Sequence, residues 1–246
     1  MEKFIDTFTP KIGTAEVAVL MPVYNEADTI ESVILEFHNV IGRKMPLEIV
    51  LSEDGSTDDT KKKIEKISKK VPLKALLSPT RKGYARGIID GLNYVKSEYV
   101  LITDSDGQHD PMDFWKLWEL RKEYDIVSGY RVKRADSLWR RVMSKTFQFM
   151  ARKLFGLPDF KDITAPFKLM KTEVAKEVAS KCKYMKESFW TEFIIRAYKN
   201  GFKIGEVPVT HRKRLDGSTR VYKPWKIPKI IASQLYALLK LWRELE

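Results

Sequence analysis

The sequence predicts an α/β fold in which helices flank a mostly parallel β-sheet. Three observations favour this fold class. Short apolar runs rich in β-branched residues recur along the first 130 residues, segments with helical periodicity separate them, and a polar motif follows almost every run. In folds of this kind, ligands bind at the sheet edge where the carboxyl ends of the strands lie. We therefore expect the polar motifs to meet at that edge and to form the functional site.

The first half of the chain supplies four consecutive strand–helix units. Ile30, Val33, Ile34 and Phe37 have the spacing of one helix face, which illustrates the helical signal. The predicted strands are 16–21, 47–51, 74–77 and 99–103, and the helices that follow them are 27–40, a Lys-rich helix to residue 70, a helix to about residue 95, and 112–122. This alternation is typical of a doubly wound α/β domain.

The second half continues the pattern with longer helices. Residues 126–128 and 206–210 are predicted strands, and Pro208 places the latter at an edge of the sheet. The predicted helices are 138–155, 172–179, 189–200 and 227–242. The first and the last of these helices are amphipathic and basic, so each suits either packing against the domain or contact with a membrane surface.

The composition describes a globular chain whose two halves differ in charge. The 246 residues are 43% hydrophobic and include a single cysteine, Cys182, which excludes a scaffold built on disulfides. The net charge is +12, but residues 1–130 carry −4 and residues 131–246 carry +16. This asymmetry predicts an anionic partner for the second half. Because neither a signal peptide nor a membrane-spanning run is recognisable, we expect a cytoplasmic protein or one on the cytosolic face of a membrane.

The strand 99–103 ends in the most informative motif. Asp104 and Asp106 follow it at positions i and i+2, which point to the same side of a strand. Two carboxylates at the end of a buried strand suit Mg²⁺ or Mn²⁺, with phosphate oxygens completing the shell. A polar turn is the alternative, because Asp and Gly are common turn residues. The two carboxylates alone leave both interpretations open, and the surrounding motifs must decide between them.

Four motifs lie in order between residues 17 and 130. They are Pro22-Val23-Tyr24-Asn25-Glu26, Glu53-Asp54-Gly55-Ser56-Thr57-Asp58-Asp59-Thr60, Arg81-Lys82-Gly83 and Asp104-Ser105-Asp106-Gly107-Gln108. With these motifs the sequence resembles a family 2 glycosyltransferase with the GT-A fold. Within that family it is most similar to dolichol-phosphate mannose synthases and related polyprenyl-phosphate glycosyltransferases. Gly129-Tyr130-Arg131, residues 140–144 and Val207-Pro208-Val209-Thr210 extend the resemblance more loosely into the second half.

The resemblance implies a role for each motif. The nucleotide-sugar site would consist of Pro22, Tyr24, Glu26, Asp54, Gly55, Arg81, Lys82, Gly83, Asp104, Ser105 and Asp106. The divalent metal would be bound by Asp104, Asp106 and Gln108, and the acceptor phosphate by Arg131, Arg140, Ser144 and Arg214. The residues that act on the reacting groups would be Asp104, Asp106, Arg131 and Arg214. Arginine is the expected residue for forked contacts with phosphate.

The implied activity is the metal-dependent, inverting transfer of a hexose, mannose or glucose, from a GDP- or UDP-linked donor. The acceptor would be dolichyl or another polyprenyl phosphate at the cytosolic membrane face, with the protein bound peripherally. A GT-A domain would cover residues 1–220, its nucleotide-sugar half about 14–130 and its acceptor half about 131–220, followed by a basic amphipathic helix over 221–246.

Two other functions stay open at this stage. Transfer to a sugar hydroxyl would need a carboxylate base, and Glu192 is the residue that resembles one. A non-catalytic nucleic-acid or anion-binding protein would use the basic loop 212–220, but it would leave the acidic motifs without a role, so no nucleic-acid partner is expected. The sequence also departs from the family pattern in three ways. Glu53 replaces the usual Asp, the segment between Arg131 and Arg140 is short, and no transmembrane helices are appended.

Overall fold

The computed structural model describes residues 2–8, 15–132, 138–214 and 227–246, with the backbone alone at 138–141 and 227–229. Within those residues, one eight-stranded sheet lies between two layers of helices, which confirms the predicted α/β class. The strands are β1 (Lys3–Asp6), β2 (Val17–Val23), β3 (Leu47–Glu53), β4 (Lys74–Leu77), β5 (Tyr99–Ile102), β6 (Ile126–Arg131), β7 (Lys168–Lys171) and β8 (Ile204–Val209). The helices are α1 (Ile30–Phe37), α2 (Thr60–Ile67), α3 (Tyr84–Leu92), α4 (Phe114–Glu119), α5 (Leu138–Phe155), α6 (Thr172–Lys181), α7 (Phe189–Lys199) and α8 (Ile227–Leu245).

The order of the strands brings six strand ends to one edge of the sheet. The order is β1-β4-β3-β2-β5-β7-β6-β8, and β4, β3, β2 and β5 are mutually parallel. Strand β7 is antiparallel to both of its neighbours, β5 and β6, so those two run in the same direction. Strand β8 is parallel to β6. The carboxyl ends of β2, β3, β4, β5, β6 and β8 therefore share one edge, as the sequence pattern predicted.

Two strands were not predicted, and both are antiparallel. Strand β1 pairs with β4 at one margin of the sheet, and β7 is inserted between β5 and β6. The sheet is thus parallel in its centre and mixed toward β8. The edge position predicted from Pro208 is confirmed, because β8 is the last strand on its side.

The core of the domain consists of an apolar layer on each face of the sheet. All seven residues of β2 are buried, with Val19 and Met21 in the layer that includes α1, and Ala18 and Leu20 in the layer that includes α3. A strand covered on both faces reads as a continuous apolar run, which explains the pattern in the sequence. The layer on the α3 side also contains residues of α5, α6, α7 and α8.

Helix α8 packs on the domain and also presents apolar side chains to solvent. Ala237, Leu238 and Leu241 are buried in the core layer. The guanidinium of Arg196 on α7 lies 3.1 Å from the carboxylate of Glu244 near the end of α8. Five large hydrophobic side chains of the same helix are exposed: Ile231, Leu235, Tyr236, Leu239 and Trp242. Leu238 therefore belongs to the packed face and not, as predicted, to the face of Ile231. The predicted domain boundary at residues 220 and 221 lies outside the described residues.

A position can require glycine because of its backbone conformation or because there is no space for a Cβ atom, and Gly55 and Gly156 distinguish these two causes. Both have a left-handed backbone, with φ of 69° and 62°. A Cβ atom at Gly55 would lie 2.3 Å from the carbonyl carbon of Thr80, whereas one at Gly156 would meet nothing within 4 Å. We expect Gly156→Ala to lower the free energy of unfolding by about 1–2 kcal/mol, the usual cost of this conformation. Gly55→Ala should cost clearly more, because the clash adds to that cost. Urea denaturation measures both, and equal losses would contradict the packing argument.

Candidate active site

Tyr24 and Arg81 form an aromatic–cation pair at the sheet edge. Tyr24 follows β2, and the guanidinium carbon of Arg81 lies 4.1 Å from the centre of the tyrosine ring. The Arg81 side chain is 58% exposed, so the pair borders the solvent. Aromatic rings and guanidinium groups both suit contact with the flat face of a nucleobase. The predicted contact of these residues with the nucleotide is therefore chemically reasonable and stays a prediction.

Asp54 shapes the loop that contains Arg81, Lys82 and Gly83. Its carboxylate accepts hydrogen bonds from the backbone nitrogen of Lys82, at 2.5 Å, and from that of Gly83, at 2.9 Å. Only 4% of Asp54 is exposed, which leaves little of it for a ligand to reach. The predicted role of Asp54 in the nucleotide-sugar site, where it would accept hydrogen bonds from the base or ribose, stays untested. The contacts present show that Asp54 holds this loop.

Asp104 and Asp106 lie in the loop after β5, because that strand ends at Ile102. The alternation of side chains along a strand is therefore not what brings the two carboxylates together, and that part of the reasoning was wrong. The loop itself does so. Between them, the hydroxyl of Ser105 donates to the carbonyl oxygen of Pro22 at 2.9 Å, which fastens the loop to the end of β2. One oxygen of Asp106 accepts from the backbone nitrogen of Gln108 at 3.1 Å.

A bound cation would stabilise the ionised forms of these two carboxylates. Burial and the neighbouring charge of Asp106 raise the pKa of Asp104 to about 7, and burial raises the pKa of Asp106. Within the described part of the chain, no cluster of three or more His, Cys, Asp or Glu side chains forms a complete metal cage. Two hard carboxylate donors fit Mg²⁺ or Mn²⁺, which commonly complete their shells with phosphate and water oxygens.

The segment after β8 is joined to the Asp106 loop. The backbone nitrogen of Arg212 donates to the carbonyl oxygen of Gln108 at 2.7 Å. The side-chain nitrogen of Gln108 donates back to the carbonyl oxygen of Arg212 at 3.1 Å. In the same segment, the guanidinium of Arg214 donates a hydrogen bond to the carboxylate of Glu26. The positive charge of Arg214 lowers the pKa of Asp106. Gln108 and Arg214 thus lie beside the carboxylate pair, while metal binding by Gln108 stays untested.

Arg131 lies at the end of β6 in a rigid setting. Its guanidinium donates to the two oxygens of Asp162 at 2.7 and 3.1 Å and to the hydroxyl of Thr164 at 2.9 Å. Its positive charge lowers the pKa of Asp104, so the two residues are electrostatic neighbours. The hydroxyl of Ser144 on α5 accepts from the side chain of Gln148 at 3.0 Å. The side chain of Arg140, the fourth predicted phosphate ligand, lies outside the described residues.

An apolar cavity of about 480 Å³ begins beside Asp104. Tyr84 lines it and donates its hydroxyl proton to Asp104 at 2.9 Å, and Arg131, Thr164 and Ser144 line it as well. The rest of its wall comes mainly from α5, the start of α7, and α8. Its apolar lining includes Val142, Met143, Phe147, Met150, Ile231 and Leu235. A group with a charged end and a long apolar part would match this combination.

Glu192 is buried, and its carboxylate makes hydrogen bonds and an ion pair within the fold. Its carboxylate accepts from the backbone nitrogens of Lys183, Tyr184 and Met185 at 2.8 to 3.0 Å. It also pairs with Arg196 at 2.9 Å, and only 1% of it is exposed. A catalytic base must reach the proton that it removes. The geometry therefore favours a structural role, which links the turn before α7 to Arg196.

Sequence reasoning assigned no role to several buried groups near the site. Trp190 donates its ring N–H to the hydroxyl of Tyr84 at 2.9 Å. Lys168 is fully buried, donates to Ser128 at 2.5 Å, and has a pKa that burial lowers to about 8. Burial and the charge of neighbouring His211 lower the pKa of His109 to about 3, so this imidazole is neutral. These contacts join residues far apart in the chain, and no local sequence pattern signals them.

Residues 18–179 match the family model described as glycosyl transferase family 2. The chain is 27% identical over 215 residues to a dolichol-phosphate mannosyltransferase of Pyrococcus furiosus, covering 84% of this chain but only 59% of that relative. It is 28% identical over 236 residues to glycosyltransferase AglJ of Haloferax volcanii, covering 91% of this chain and 72% of that one.

A solved structure with the same fold is glucosyl-3-phosphoglycerate synthase from Mycobacterium tuberculosis, in complex with Mn²⁺, UDP and glucosyl-3-phosphoglycerate. The TM-score is 0.65 at 18% sequence identity, and the match covers 91% of this chain and 80% of that chain. At this identity, the similarity establishes the GT-A fold.

Replacing Asp104 by Asn should stabilise the metal-free protein at high pH. Because the folded state raises the pKa of Asp104 above its usual value of 3.8, the folded protein loses stability as the pH rises from about 4 through about 7. In EDTA, we expect Asp104→Asn to raise the Tm by about 3 °C or more near pH 8, and by much less near pH 4.5. Asp110→Asn is the matched control in the same loop. It should lower the Tm, because Asp110 is paired with Arg212 at 2.8 Å. A lower Tm for Asp104→Asn near pH 8 would refute the electrostatic argument.

Proposed function

The chain belongs to glycosyl transferase family 2, and we propose that it transfers a hexose from a nucleotide sugar to a polyprenyl phosphate. The observation that carries this proposal is the apolar cavity, which begins at Tyr84 beside Asp104 and has Arg131 in its wall. A cavity lined in this way suits a phosphate joined to a hydrocarbon chain, because arginine binds phosphate and the apolar wall excludes water. The chain spans 59% of the Pyrococcus furiosus relative, so the acceptor named there comes to this chain as part of the proposal.

The donor would be a GDP- or UDP-linked hexose, with mannose or glucose favoured. Its base would lie against Tyr24 and Arg81, and its diphosphate near Asp104 and Asp106. A bound Mg²⁺ or Mn²⁺ would supply charge stabilisation for the leaving nucleoside diphosphate. The likeness to a synthase solved with Mn²⁺ and UDP supports a divalent cation in general.

The acceptor phosphate would need no protein base, because its oxygens are already ionised. One of these oxygens would attack the anomeric carbon of the sugar from the side opposite the diphosphate. The new C–O bond forms as the bond to the diphosphate breaks, and the bonding electrons leave with the nucleoside diphosphate. Arg131 and Ser144 would orient the attacking group. Transfer to a sugar hydroxyl is not favoured, since Glu192 is buried and hydrogen-bonded on both oxygens.

Contact with a membrane surface forms part of the proposal. Exposed apolar side chains of α5 and α8 lie on helices that also line the cavity, among them Val142, Ile231 and Leu235. Clusters of exposed apolar side chains commonly mark sites of interaction with proteins or membranes. The excess of basic residues in the second half would attract an anionic lipid surface, here the cytosolic face. No described helix is both long enough and apolar enough to cross a bilayer.

A transfer assay tests the proposal directly. The protein would be incubated with radiolabelled GDP-mannose, GDP-glucose, UDP-glucose or UDP-galactose, with dolichyl phosphate, and with Mn²⁺ or EDTA. We expect label in the lipid fraction with Mn²⁺ for at least one donor and none in EDTA, and at least a hundredfold less with Asp104→Ala, because a group that stabilises the leaving diphosphate is lost. Labelled soluble glycan without labelled lipid would overturn the acceptor assignment.

Leu235 and Leu239 offer a matched test of the cavity. They lie one turn apart on α8, and both are exposed, but Leu235 lines the cavity whereas Leu239 does not. In detergent, Leu235→Asn should raise the KM for a long-chain polyprenyl phosphate about tenfold, as expected when about 1.4 kcal/mol of apolar contact is lost. The KM for a short-chain phosphate and the KM for the donor should change little. Leu239→Asn should change none of these constants. An equal effect of the two substitutions would show that the polyprenyl chain of the acceptor binds outside this cavity.

A further inference from the structure

Three side chains from distant parts of the chain form one hydrogen-bonded series that ends on Asp104. The ring N–H of Trp190, in the first turn of α7, lies 2.9 Å from the hydroxyl oxygen of Tyr84, the first residue of α3. The same hydroxyl lies 2.9 Å from one carboxylate oxygen of Asp104. Trp190 and Tyr84 are 106 positions apart in the sequence, so the series exists only in the folded domain.

The direction of these hydrogen bonds is fixed by chemistry. An indole nitrogen is a donor only, so Trp190 must donate to the tyrosine oxygen. When Asp104 holds a cation its carboxylate is ionised and is an acceptor only, so Tyr84 donates the hydrogen bond to Asp104. One oxygen of Asp104 is thereby held by Tyr84, which limits the rotation of the carboxylate group about its bond to Cβ. The other oxygen is left with a defined direction.

The tryptophan that begins the series is itself held on several sides. Trp190 is 4% exposed and makes edge contacts with the rings of Phe189 and Phe193, at centroid distances of 5.1 and 5.4 Å. The ammonium of Lys168 lies 5.5 Å from the centre of its ring. Phe189 also contacts Tyr84 edge-on at 6.5 Å. A donor this tightly packed can fix the position of a tyrosine hydroxyl that borders an open cavity.

We propose that Tyr84 is a positioning residue for the metal-binding carboxylate of Asp104, and that Trp190 fixes the hydroxyl of Tyr84 for this task. The proposal rests on the proposed function in one respect, the binding of a divalent cation by Asp104. Ligands of a metal ion are commonly oriented by outer hydrogen-bond partners, and loss of such a partner weakens metal binding. The same two side chains line the acceptor cavity, so the wall that would contact the acceptor also orients the metal-binding carboxylate.

Binding of Mn²⁺ tests the proposal without requiring catalysis. Free Mn²⁺ would be measured by electron paramagnetic resonance during titration of the full chain, with saturating UDP and, separately, GDP. We expect Tyr84→Phe to raise the Kd for Mn²⁺ about tenfold, the loss of one hydrogen bond to a charged group. Trp190→Phe should raise it about threefold, because it removes a hydrogen bond between neutral groups one step away.

Tyr99→Phe is the matched control. Tyr99 is 7% exposed and lies at the opposite end of β5, the strand that leads to Asp104, and its hydroxyl interacts with Glu98. This variant should bind Mn²⁺ as the unmodified protein does, even if its Tm falls. A general structural role for Tyr84 would lower the Tm in the same way and leave the Kd unchanged.

Asp104→Asn separates the two possible failures. If it abolishes Mn²⁺ binding while Tyr84→Phe binds like the Tyr99→Phe control, the positioning role is overturned and the metal site stands. If Asp104→Asn binds Mn²⁺ as tightly as the unmodified protein, the metal role of Asp104 in the proposed function fails, and the positioning role fails with it.

Discussion

The domain is organised around the electrostatic cost of keeping two carboxylates side by side at a recessed sheet edge. Asp104 and Asp106 repel each other when both are ionised, and burial increases the cost. Only a rigid frame can hold such a pair. The frame consists of the fully buried strand β2, the hydrogen bond from Ser105 to its carbonyl oxygen, and the hydroxyl of Tyr84. The stability contributed by the two core layers thus offsets the electrostatic cost of burying the two carboxylates. Perturbed pKa values of this kind are typical of functional sites.

The parts of the structure that could be predicted from sequence are those with a local cause. A continuous apolar run signals a strand covered on both faces, and parallel strands place the motifs after β2, β3, β4 and β5 at one edge without further information. Strand β7 cannot be predicted in the same way, because the sequence Lys168–Lys171 carries no local signal for pairing with an antiparallel neighbour. Asp54 and Glu192 were recognised as important carboxylates, but their hydrogen bonds to backbone nitrogens depend on loops whose shape the sequence does not show. The contact of Tyr84 with Trp190 is similarly a product of tertiary structure.

Buried charge has two different uses in this molecule. Glu192 and Glu244 are compensated by two cations, the guanidinium of Arg196, which pairs with both, and the ammonium of Lys183, which pairs with Glu244. The pairs that Arg196 makes with both carboxylates connect α8 to α7. Arg131 and Asp162 are likewise paired in a forked geometry. The charge of Asp106 disfavours ionisation of Asp104, and the charges of Arg131 and Arg214 offset the cost of ionising this pair only in part. The balanced groups fix the structure, and the unbalanced pair is what makes the edge of the sheet suited to a cation.

The cavity wall has a consequence for how such enzymes diversify. Its apolar lining comes largely from α5 and α8, which lie outside the sheet, whereas the strand-end loops that carry Tyr24, Asp104 and Asp106 belong to the central strands. Substitutions on the two helices can therefore reshape the cavity while the strand-end loops keep their geometry. Under the proposed function, acceptor and donor preference would then be separable traits in evolution, and exchange of α5 and α8 between relatives would combine a given sugar donor with a new acceptor.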